Sequence, residues 1–308
     1  MVRVGQDAGD PHITSWGLTA FGALGLTVGP LDEAASRLST VRDMCIQISA
    51  FRMQAGAGGV LGKCRLRQGR LSEAAAILQE SVGLIEARKM RDLGAAQALN
   101  AFAELCLIDV GRLAGAQRRG AIRAASRACV KALRCTRDAM PWLPETLRLH
   151  GTLAWLSGDT TFARERWEKS LATAQDLGLA VERAHTLLEM GDRLADVSLV
   201  DEATRVFVQT GAKVPLASSL HARARMELES GADVGSTLQR YDQAIGALAE
   251  VKAEYSLGVA CRERAHLHQQ VGCLDQARAD LVRARSCFAA VGAAVEQADV
   301  EQETIALG

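Results

Sequence analysis

Apolar residues recur along this chain at helical spacing, three and four positions apart, and runs of strict alternation are absent. After Leu71, for example, Ala74, Ile77, Leu78, Val82 and Ile85 mark one face of a helix, with polar residues between them. The pattern breaks at regular intervals. A small residue recurs about forty positions apart, at Ala34, Ala74, Ala116, Ala163, Ala203, Thr237 and Ala277. Five residues before most of these stands a glycine: Gly29, Gly69, Gly111, Gly158 and Gly272. Self-similarity at this period is the mark of a stacked supersecondary unit.

Each unit reads as helix, short turn, longer helix, short turn. Gly69 can close a helix in the left-handed conformation, and Ser72 can cap the next one. The small Ala74 then lets two helices approach. Twelve residues before the alanine a second glycine often stands: Gly22, Gly62, Gly151 and Gly191. Glycine inside a helix costs about 1 kcal/mol relative to alanine, so its recurrence at one phase predicts close helix crossings. The phrases at Gly94, Gly178, Gly211 and Gly292 read as helix stops followed by new starts.

This grammar resembles the tetratricopeptide repeat (TPR) family over nearly the whole chain, from about Ile13 to about Ala298, with a period longer than the family's usual 34 residues. It looks most like the TPR-like arrays of multidomain bacterial signalling ATPases: the MalT-like regulators and the ATPase-linked cyclases and Ser/Thr kinases. The resemblance implies an all-α, right-handed superhelical solenoid of about seven helix-turn-helix repeats, or about fourteen helices. Residues 1–12 would be a short tail, 13–293 the array and 294–308 a C-terminal helix. A seam is expected near 138–145, where Met140-Pro-Trp-Leu-Pro144 interrupts the helical run. Pro144 suits the first turn of the helix that follows.

Composition narrows the function. Lys+Arg and Asp+Glu balance at 36 each among 308 residues, so no bulk field draws the chain to nucleic acid or membrane. No stretch of eighteen uninterrupted apolar residues is present. Eight cysteines without a CxxC pair, and no visible secretory signal, read as reduced, packed thiols in a cytoplasmic protein. Gly58-Gly-Val-Leu-Gly62-Lys63-Cys64 resembles a phosphate loop, but it has one residue too few between its glycines. Cysteine also stands where Ser or Thr would bind magnesium. His266 and His268 are two apart, on different faces of a helix, and so are no zinc pair. No cofactor or metal is expected, and catalysis is not.

Two binding surfaces are readable. From Arg112 to Arg137 there is no Asp or Glu, and Arg119, Arg123, Arg127 and Lys131 fall at successive i, i+4 positions, with Arg134 beyond them. Like charges stacked in this way oppose the helix, so the stripe is either a solvated face or the dock of an acidic partner. The second surface is the concave groove. The family's inner positions place Trp16, Lys63, Glu145, Arg148, Trp155, His185, Asp192, Met226, Arg262, His266 and Gln269 there, with Trp155 and Arg148 as anchors. The expected function is a protein-interaction scaffold or sensor of a bacterial signalling system, with a protein or peptide partner. One alternative is a regulator that binds a small molecule or peptide pheromone in the groove. Another is an enzyme built on a helical-repeat frame.

Overall fold

The computed structural model describes residues 2–136 and 140–307, and among them sixteen α-helices and no strand. Seven antiparallel pairs run in order: α2 (Pro11–Val28) with α3 (Leu31–Gln47), α4 (Phe51–Gln68) with α5 (Leu71–Arg88), and α6 (Leu93–Arg112) with α7 (Gly115–Cys135). A 3-10 turn, Met140–Trp142, leads into α8 (Leu143–Leu156) with α9 (Thr160–Asp176), then α10 (Ala180–Leu194) with α11 (Val197–Thr210). The last pairs are α12 (Lys213–Glu229) with α13 (Val234–Glu250) and α14 (Glu254–Gln270) with α15 (Leu274–Val291). The flanking helices are α1 (Val2–Asp7) and α16 (Ala294–Ala306). The fourteen expected helices are therefore present, with one more at each end. Residues 2–7, within the expected tail, form α1, in which Gly5 packs closely on Thr14. Each of α4, α6, α8 and α10 touches the next even-numbered helix, so these helices form the inner layer of a TPR-like solenoid and the odd-numbered helices its outer layer.

The recurring small residues pack where the two helices of a pair meet: Ala74, Ala163, Ala203 and Ala277 are fully buried, and Thr237 nearly so. The glycines twelve residues upstream mark close crossings, as expected. A Cβ on Gly22 would lie 2.5 Å from Leu38, and one on Gly151 would lie 2.6 Å from Trp167. The phosphate-loop look-alike is interior helix. A Cβ at Gly59 would stand 2.6 Å from the Ala98 backbone of α6, while ones at Gly58 and Gly62 would meet Ser81 and Leu78 of α5, so its glycines let α4 pack closely on both neighbours.

Four local readings are corrected. Ala116 is exposed, and α6 runs through Gly111; the left-handed break falls at Gly115 (φ 55°). Arg118 now stands three residues into α7, donating to the carbonyls of Val110 and Leu156. Gly94 is the second residue of α6 rather than a stop, and Lys89 makes the left-handed turn before it. Ser72 lies inside α5 and does not cap it; the side-chain caps are aspartates, among them Asp92, Asp159 and Asp233.

The coil also closes on itself. The Leu31 N–H donates to the Val251 carbonyl at 3.1 Å, α2 packs on α12, and α4 packs on α14. Arg112 of α6 pairs with Glu296 of α16 at 2.5 Å. Each contact joins helices ten apart, so one turn of the coil spans five pairs and rests on the next. A single buried cluster accordingly mixes Leu31, Leu38 and Leu61 with Tyr241, Leu257 and Phe288. In other clusters, α6 is long and apolar enough by composition to cross a membrane, yet most of its apolar window is buried inside the fold.

Candidate functional site

Polar residues one turn apart recur on four inner helices: Lys63 and Arg67 on α4, Asn100 and Glu104 on α6, Glu145 and Arg148 on α8, Glu182 and His185 on α10. Helical spacing turns each pair inward, and the tight coil brings them together. Lys63 pairs with the buried Glu145, and Arg67 with Glu104. Glu145 also accepts from the Asn100 amide at 3.4 Å. Arg148, 9% exposed, approaches Glu145 no closer than 3.8 Å.

Burial and neighbouring charge pull the titrations apart. Burial alone would raise the Glu104 carboxyl, but Arg67, Lys63 and Arg148 outweigh it and hold it at about 2. Glu182 is pushed up, by burial and then by Glu145. His185 is driven well below its usual range by burial, reinforced by Arg148, Arg67 and Lys63. It is therefore neutral in the folded protein at pH 7.

This has a measurable consequence. A histidine that protonates more readily unfolded than folded favours the native state above its unfolded value near 6.5. That stability is lost as the pH falls below it, at no more than about 1.4 kcal/mol per pH unit. His150 shifts in the same direction, by burial and then Arg166, while Glu182 opposes both as the pH approaches the carboxylate range. Melting curves at pH 7.5 and 5.5 are expected to show lower stability at 5.5. His185→Gln should flatten that difference; an unchanged difference would contradict the neutral assignment.

The sequence-derived groove residues divide among four places. Arg148 and His185 join the inner cluster, with the His185 ring 5.4 Å from that of Phe207. Trp155 lies against Trp167 at 5.8 Å, in the crossing of α8 and α9. Arg262 and His266 both bind Glu303 of α16, at 2.5 and 3.0 Å, so the chain's own C-terminal helix occupies them. Trp16 stands apart, 59% exposed.

Trp16 borders a cleft of about 640 Å³ with Ala20, Met53, Gly56, Leu93, Gly94 and Trp142. The glycines thin its floor, since α4 and α6 approach there without side chains. At its edge Arg52 pairs with Asp92 at 3.2 Å. A basic hollow adjoins it, lined by Phe51, Arg88, Lys89, Met90 and Arg91, with the Arg88 guanidinium 3.9 Å from the centre of the Phe51 ring.

On α7, Arg119, Arg123, Arg127 and Arg134 are exposed on the outer layer, while Lys131 pairs with Glu86. Arg137 of that run lies outside the described residues, as do residues 138 and 139 of the expected seam; Pro144 takes the predicted first turn of α8. The eight cysteines are free, and seven are buried; burial raises Cys64, Cys106 and Cys129 to about 12. No group of three metal-ligating side chains occurs among the described residues.

No family model matches the sequence, and no curated protein matches it. Among solved structures, the crystal structure of Rap protein complexed with Competence and Sporulation Factor aligns over 95% of this chain and 97% of its own. The identity is 12% and the TM-score 0.52, a likeness of fold. A circular tandem repeat protein with novel repeat topology aligns over 99% of this chain and 86% of its own, at 12% identity. Its TM-score is 0.27, too low to bear on the fold.

Proposed function

We propose that this chain is a cytoplasmic repeat scaffold of a bacterial regulatory system, which holds a peptide or a segment of a partner protein in the cleft beside Trp16. The cleft itself carries the reading. An exposed tryptophan faces Met53, Leu93 and Trp142 across a hollow the fold does not fill, and such apolar concavities mark binding sites. The basic hollow next to it adds a charge preference. The segment that fits has an apolar or aromatic residue for the cleft and acidic residues beside it for Arg88, Lys89 and Arg91. The Rap likeness supports the same reading, because that solved structure is a complex with a named factor.

The exposed arginines of α7 favour a second contact for an acidic partner. Arg119, Arg123 and Arg127 share one face and carry no ion pair among the described residues, so desolvating them lacks a compensating internal charge.

Selection from a displayed random-peptide library tests both. Enriched peptides are expected to combine an aromatic or large aliphatic residue with nearby acids. Trp16→Asp should weaken them at least tenfold, about 1.4 kcal/mol. Arg123→Glu with Arg127→Glu should reduce salt dependence without abolishing capture. Binding indifferent to Trp16→Asp would overturn the cleft as the seat.

A further inference from the structure

The first helix of the array carries an uncovered apolar face. None of the eighteen residues of α2 is Asp, Glu, Lys or Arg. One side packs inside the fold, with Gly22 and Gly25 close against Leu38 and Ala34 of α3. On the exposed side Ile13, Trp16, Ala20, Leu24 and Val28 follow at spacings of three and four, so they form one stripe, with Phe21 beside it. The five large side chains are 37 to 59% exposed. They leave on the order of 500 Å² of apolar surface open, as much as the largest patch of a typical monomer, and such patches mark interaction sites. The end units of a repeat array ordinarily turn a polar face outward. The other end of this array is charged: Glu296, Asp299, Glu301 and Glu303 of α16 are all acidic, with no Lys or Arg among them.

From this stripe we infer a self-association site: α2 pairs with α2 of a second copy, antiparallel, about a two-fold axis. A two-fold contact sets one patch against itself, so the patch must be self-complementary. An uncharged apolar stripe meets that condition, because no like charges face each other across the axis. Ala20, the smallest residue of the stripe, lies near its middle, where two helices can approach closely. Two such stripes bury about 1,000 Å² between them, the least that a specific interface needs. A polar rim is present, since Arg37 lies 4.4 Å over the Phe21 ring and pairs with Glu33. Other occupants fit less well. A head-to-tail contact would bury the carboxylates of α16 against a helix with no cation for them. An anionic bilayer would meet Asp7 and Asp10 before the stripe, and Asp32 and Glu33 after it.

Sedimentation velocity of the full chain tests the pairing. Between about 1 and 100 µM, the mass is expected to rise from 32.8 kDa toward twice that value. Trp16 borders both the stripe and the cleft, so it is left intact. Leu24→Glu with Val28→Glu, at positions outside the cleft lining, should keep the chain monomeric throughout, with the helical circular dichroism of the parent. Val208→Glu, at a similarly exposed valine on α11, should leave association intact. Ala20→Cys should form an interchain disulfide under mild oxidation, and Val208→Cys should not. A parent chain still monomeric at about 100 µM overturns the inference. So does association that survives the Leu24 and Val28 substitutions, an equal cross-link through Val208→Cys, or binding to anionic vesicles without self-association.

Discussion

Trp167→Ala is expected to destabilise the protein by about 3–5 kcal/mol, the range for removing a large aromatic from a packed interior. Trp167 is fully buried in the crossing of α8 and α9. Its ring fills the notch that Gly151 leaves open and lies against Trp155. Its Nε1 also donates to the Arg148 carbonyl at 3.2 Å, so the substitution leaves a cavity and removes a buried hydrogen bond. Urea unfolding followed by circular dichroism measures it. A cost below about 1 kcal/mol would mean that α8 and α9 do not meet as described.

Glu145→Ala should cost a similar amount, about 3–5 kcal/mol, for a different reason. Glu145 is 2% exposed and is the carboxylate nearest both Lys63 and Arg148. Removing it leaves Lys63 and Arg148, both mostly buried, without their nearest carboxylate, and a mostly buried unpaired charge costs more than an exposed pair contributes. The matching control is Glu145→Leu combined with Lys63→Met. Replacing a buried pair by apolar groups of similar volume is often neutral or stabilising, so the double variant should recover most of the loss. A single variant as stable as the parent would show that Glu145 is not the partner that keeps Lys63 inside.

Much of the architecture could be read from the chain. The alanines and glycines that set the beat are small because backbones cross there, and that is a local constraint visible in local sequence. The beat misled where another residue took over the job. In α7, Arg118 ties down the turn with its side chain, so the glycine and alanine nearby were free to drift out of phase. At Gly94 the reading of a stop failed because a glycine serves equally for a left-handed turn and for close approach, and the choice belongs to α4, forty residues away.

The site was less legible. Lys63, Glu145, Arg148 and His185 could be placed on the inner face from their phase. Arg67 and Glu182 were overlooked, although each sits one turn from a residue that was recognised, and Asn100 and Glu104 lie on α6, where no groove residue was expected. The available signal was a pair of polar residues on each inner helix. Its meaning depends on how tightly the coil is wound, which no single repeat encodes. The same winding accounts for Arg262 and His266. Expected to line the groove, they instead meet Glu303 of α16, which returns to them.

The contact between Leu31 and Val251 bears on how the protein is made. Repeat arrays can ordinarily form from whichever end leaves the ribosome first, since each unit needs only its neighbour. Here the first pair's far surface has no seat until the sixth pair exists, more than two hundred residues later. Until then Leu31 and its neighbours are left with an uncovered apolar edge. Folding therefore includes a docking step besides the addition of successive units, and residues near Val251 complete the surface begun at Leu31.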